Sequence, residues 1–253
     1  TGGTVTFTPA EASDWLVITR ARFDPGTLTI SYKSRIARSG EATSNLPEMI
    51  LEPDAATEFL HLACARVFAI TAASNTFAEV SRVNAAGGSS DNITNSAVFC
   101  LNLNKFLNRN TLTYTEAGID LSGAADYATE IQTTSINPGV TSDVLVIGSA
   151  GSDAEASGVG GKVRIQLDAV DEPATFNVVQ FESNDARDNV PMQVVFMQNM
   201  TTGAKDLDMD ASSETALVVG KDAIERMMVA FTMELAAAAV TQPHFEFRVP
   251  GFM

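Results

Sequence analysis

Thr6-Phe7-Thr8-Pro9-Ala10-Glu11-Ala12-Ser13-Asp14-Trp15-Leu16-Val17-Ile18 and Ser135-Ile136-Asn137-Pro138-Gly139-Val140-Thr141-Ser142-Asp143-Val144-Leu145-Val146-Ile147 align without a gap. Asp14 falls on Asp143, an offset of 129, and six of the thirteen positions are identical. Each copy reads as a short strand ended by Pro, a polar turn and a strand of buried character, which is how a β-sandwich opens. The chain is therefore expected to be all-β: two tandem antiparallel β-sandwich (jelly-roll-like) domains related by internal duplication. Residues 1–123 would form the first sandwich with its linker, 124–235 the second, and 236–253 a C-terminal extension. At 253 residues the chain is long enough for each half to bury its own core.

The copies continue in step. In the first, Leu28, Ile30 and Tyr32 alternate with polar neighbours, the period of a half-buried strand. Arg35-Ile36 matches Arg164-Ile165 at the same offset of 129, Leu51-Glu52 is set against Phe181-Glu182 at 130, and Phe99, Leu101 and Leu103 are set against Phe231, Met233 and Leu235 at 132. Two segments pull the other way. Residues 59–72 fit a helix nearly as well as a strand, and Ile224, Met227, Met228, Phe231 and Leu235 follow helical spacing. Both are assigned to strands, because their partners in the other copy carry Pro191, the β-branched Val194-Val195 and the alternating apolar positions of residues 96–103.

With 31 acidic against 16 basic residues the net charge is −15, which repels phosphate backbones and speaks against direct nucleic-acid binding. Arg20, Arg22, Lys33, Arg35 and Arg38 are read as solvent-facing strand positions. Two cysteines, Cys64 and Cys100, are too few for a disulfide framework; Cys64 lies in an apolar run and reads as a buried thiol, with a bridge to Cys100 left open. No apolar run reaches the roughly 18 residues of a membrane span, and no charged-then-apolar leader opens the sequence.

Catalytic chemistry has little to draw on. His61 and His244 are the only imidazoles, and no Gly-x-Ser-x-Gly elbow, phosphate loop or clustered His/Cys set occurs, so no catalytic residue and no cofactor is assigned. Gly158-Val159-Gly160-Gly161 lacks the strand-to-helix setting of a dinucleotide site. Asp206, Asp208 and Asp210 are the best metal candidates, but Ala211 stands where a calcium loop needs Gly and Leu217 where it needs Glu. On a strand these three Asp share one face, and a solvated face is the simpler reading. Trp15, Tyr32, Tyr114 and Tyr127 would make a thin sugar-stacking platform, and Trp15 reads as core because Val144 replaces it in the second copy. Phe245, Phe247, Val249 and Phe252, past the last repeat, need a surface to cover them and are the interface candidates.

The order strand-Pro, Ser-Asp-x-Leu-Val-Ile, an Arg-bearing alternating strand, Leu/Phe-Glu and an apolar closing strand resembles β-sandwich structural proteins of tailed bacteriophages. The resemblance covers residues 6–103 and 135–235. It implies a non-enzymatic virion protein at the capsid surface, a decoration or cement protein contacting itself, as a trimer for instance, and other capsid proteins. A tandem jelly-roll major capsid protein is the related alternative, against which the acidic balance argues because a surface facing genome usually carries cations. A carbohydrate-binding adhesin or fibre module is the rival from another class.

Overall fold

A computed structural model describes residues 3–24, 32–41, 48–51, 60–83, 92–110, 113–115, 129–154, 160–171, 177–180, 188–213, 222–234 and 245–248. It is all-β, with four antiparallel sheets making two β-sandwiches. The chain divides into two compact units: Thr1–Asn102 with Ser183–Pro191 and His244–Met253, and Leu103–Glu182 with Met192–Pro243. Residues 103–115 thus lie in the second unit, and the C-terminal extension supplies a strand to the first.

The first unit contains β1 (Thr4–Phe7), β2 (Ser13–Asp24), β3 (Tyr32–Arg38), β4 (Glu48–Leu51), β5 (Leu60–Ile70), β6 (Asn75–Val83) and β7 (Asn92–Asn102), joined by the last strand among the described residues, β17 (Phe245–Arg248). Its sheets run β1-β6-β3-β4 and β17-β7-β2-β5. The second unit contains β8 (Thr113–Thr115), β9 (Thr129–Ile136), β10 (Ser142–Ala154), β11 (Gly160–Leu167), the two-residue β12 (Val170–Asp171), β13 (Asn177–Gln180), β14 (Asp188–Met200, which begins in residues grouped with the first unit), β15 (Lys205–Ser213) and β16 (Asp222–Thr232). Its sheets run β12-β11-β15-β9, with β13 also on β11, and β14-β10-β16-β8. Replacing β1 to β7 by β9, β10, β11, β13, β14, β15 and β16 converts one pair of sheets into the other. The first unit is a roll of two four-stranded sheets; the second keeps the same jelly-roll order and adds the two-residue β12 beside β11, making one of its sheets five-stranded.

Alternation explains the cores. On β2, Trp15, Val17, Ala21 and Phe23 point inward and pack with Tyr32, Ile36, Met49, Leu62, Phe68 and Phe77. Phe7 lies 4.2 Å from the Trp15 ring, and Phe23 lies 5.2 Å from Tyr32. In the second unit Val144 and Val146 take the places of Trp15 and Val17, facing Val163, Ile165, Leu207, Met209 and Met228. Leu16 and Phe231 are also buried, on the opposite faces of their strands, so these central strands read as continuous apolar runs.

Register corrects two of the sequence matches. Leu16 pairs with Leu101 and Leu145 pairs with Phe231, so Phe231 answers Leu101 at an offset of 130, not Phe99 at 132. Tyr32 pairs with Leu51 and Gly161 with Val179, so Leu51 answers Val179 at 128, not Phe181. Both errors are slips of two residues, which leave every side chain on its proper face and so leave the hydrophobic pattern unchanged. Residues 60–70 and 222–232 are strands, as the duplication requires and helical spacing does not.

Candidate interaction surface

The position beside the closing strand of each roll is where the units differ in how they are built. In the second unit it is filled by the chain leading toward β9. Asn108 O accepts from Thr232 N at 2.9 Å, Asn110 N donates to Ala230 O at 2.9 Å, and β8 continues the ladder with Tyr114 opposite Met227. Asn110 is the clamp. Its Nδ2 donates to Met228 O at 3.0 Å and to Thr134 Oγ1 at 2.8 Å, and its Oδ1 accepts from Ala230 N at 2.9 Å. Phe106 packs on Phe231 with ring centroids 4.4 Å apart. In the first unit the same position is filled by β17, with Phe245, Glu246, Phe247 and Arg248 opposite Leu101, Cys100, Phe99 and Val98.

Of the interface candidates, Phe245 and Phe247 therefore lie on a strand paired with β7, while Val249 and Phe252 lie outside the described residues. An exposed apolar pair that sequence reasoning missed lies on β14, an edge strand, where Val195 and Met197 are 59% and 60% exposed while Val194 and Phe196 are buried. The signal was present as Val194-Val195-Phe196-Met197, apolar on both faces.

Asp206, Asp208 and Asp210 are spread along β15 with Leu207 and Met209 buried between them. Asp210 accepts from Arg164 Nε at 3.1 Å, Asp208 from Thr133 Oγ1 at 2.7 Å, and the Asp206 backbone N–H donates to Asp168 Oδ1 at 3.0 Å. Arg164 also holds Asp171 at 2.6 Å. Burial pushes the Asp210 carboxyl up, and the bond from Arg164 opposes that rise. Among the described residues no three metal-ligating side chains converge.

The remaining candidates are dispersed. Trp15 and Tyr32 are buried, so neither can stack on a sugar; Tyr127 lies outside the described residues. His61 Nδ1 lies 3.0 Å from Arg20 Nη2, and its pKa is lowered by partial burial and then by Arg20 and Arg22; His244 lies outside the described residues. Lys33 pairs with Glu48 and Arg38 with Glu41. Cys64 and Cys100 are buried and form no disulfide, and the Cys64 thiol donates to Ser34 O at 3.2 Å. Among the described residues no helix is long and apolar enough to cross a membrane.

A buried polar cluster marks the first core. Glu79 is fully buried, its Oε1 accepts from Ser34 Oγ at 2.8 Å and from Ser81 Oγ, and its Oε2 makes no hydrogen bond among the described residues. The matching positions in the second unit are apolar: Val163, Met209 and Ala211. Burial raises the Glu79 pKa, against the lowering effect of the two hydroxyls.

No family model and no curated protein matches the sequence. Solved structures similar to the chain include dimeric latent PorU from Porphyromonas gingivalis (10% identity, TM-score 0.34, 91% of this chain and 24% of that one). A T13 IBDV viral particle (9% identity, TM-score 0.34, 88% and 56%) and the ANXUR2 extracellular domain from Arabidopsis thaliana (10% identity, TM-score 0.23, 90% and 81%) are also similar. The chain thus spans about a quarter and just over half of the first two. These weak neighbours include viral capsid proteins alongside proteins of other kinds, and at such scores they transfer no activity.

Proposed function

We propose that the chain is a non-enzymatic structural protein of a virion, acting through contacts of its β-sandwiches with further copies and with other capsid proteins. The observation that carries this is the doubled roll: one chain builds the same order of paired strands twice, the second time with the short β12 added. Two similar sandwiches in one chain supply two similar blocks at fixed stoichiometry, and closed symmetric assemblies use such blocks economically. Of the two virion roles, a shell-building tandem jelly-roll protein is favoured over a decoration protein, because both units carry the roll and a trimer would present six of them. The acidic balance still counts against a shell surface that faces genome, and suits either role only on the side turned away from it.

Light scattering on the purified chain, with negative-stain imaging of any assembled species, tests the proposal. A discrete oligomer that orders into sheets or shells is expected. A protein that stays monomeric at all concentrations and binds immobilised glycans would replace it with the adhesin reading.

A further inference from the structure

We propose that β17 is an exchangeable strand: the slot it fills beside β7 accepts the same strand from a second copy, so that the strand links copies. In the second unit the slot is filled by residues 107–115, the chain that runs on toward β9 of the same roll. In the first unit it is filled from the far end of the sequence, past the close of β16 at Thr232 and the connection 233–244. Fully extended, that connection reaches about 40 Å.

Four residue pairs hold β17, and a neighbour's β17 would make the same four. The choice between own and foreign strand is then set by effective concentration and by strain in the connection, which is the condition for domain swapping. A vacant slot would leave the outer edge of β7 as unpaired N–H and C=O groups around Val98–Leu101, a template for strand addition. The occupant is a copy of this chain because residues 245–248 are the segment seated there in register. Mutual exchange closes a two-fold dimer, and one-way donation from copy to copy builds larger rings or open chains. This names how copies would be joined in the proposed structural role, but it stands on strand order and needs no virion.

Cysteines placed at register partners test it on the full chain: Phe99→Cys in one copy and Phe247→Cys in a differently tagged copy, mixed and mildly oxidised. Wild type, whose two thiols are buried, is the background control. The expected result is a disulfide-linked mixed dimer at least five-fold above wild type, suppressed by excess peptide spanning residues 244–253. A mixture that stays monomeric while the double variant Phe99→Cys/Phe247→Cys closes wholly within one chain would overturn exchange; no cross-link in either would overturn the pairing itself. Leu101→Cys with Phe245→Cys repeats the test should the first pair fold poorly. Because only purified chain is present, failure here leaves the virion reading to be judged on its own assembly test.

Discussion

Glu79 sits where the second roll has Met209, between Ser34 and Ser81 where that roll has Val163 and Ala211. Its folded pKa is raised, so folding favours the protonated acid: the stability it supports is fully present below the ordinary Glu value of about 4.3 and is lost as pH rises through the folded value. Glu79→Gln, which keeps acceptor and donor but cannot ionise, should flatten the fall in melting temperature with rising pH in that window; an unchanged slope would show that Glu79 does not titrate on folding. Ser34→Val, Glu79→Met and Ser81→Ala together should raise stability, since an apolar set replaces a cluster with an unpaired oxygen. Asn110 is the opposite case, a buried amide with its partners supplied. Asn110→Ala should cost about 2 kcal/mol by chemical denaturation, because Met228 O, Thr134 Oγ1 and Ala230 N all lose a partner. Neither residue was legible in the sequence. A Glu in an alternating strand reads as solvent-facing until its register is known, and an Asn in a polar linker reads as turn.

At the scale of elements, the sequence showed the strands and their order, because period-two alternation and a repeated Ser-Asp-x-Leu-Val-Ile run survive duplication. It could not show register, since slips of two preserve the pattern, and it could not show that β8 and β17 occupy equivalent slots, since a short edge strand carries few residues to match. The apolar face of β16 looked helical because Met227, Val229 and Phe231 are buried on one face and Met228 and Ala230 on the other. Close packing between β10 and β15 gives a direct test. A Cβ on Gly148 would sit 2.7 Å from Met209 Sδ, whereas one on Gly139 would meet Asn108 Nδ2 at 3.7 Å. Gly148→Ala should therefore destabilise by about 1 kcal/mol, the flexible Met yielding part of the space, while Gly139→Ala should leave the melting temperature unchanged.

For the whole molecule, charge is unevenly shared. The second unit carries 18 acidic and 7 basic residues and the first 13 and 9, net −11 and −4. Copies brought together repel, so raising salt from about 10 mM to about 150 mM should shift light-scattering mass upward, and a downward shift would mean that attraction between charges holds the assembly. A shell-building role requires that one chain make the same roll twice. Cryo-electron microscopy of the assembled particle tests that most directly: capsomers in which every chain contributes two jelly rolls of matching strand order, the first with residues 245–248 beside β7, are expected. A shell in which the two halves of the chain do not superpose, or which this chain does not help to build, would contradict it.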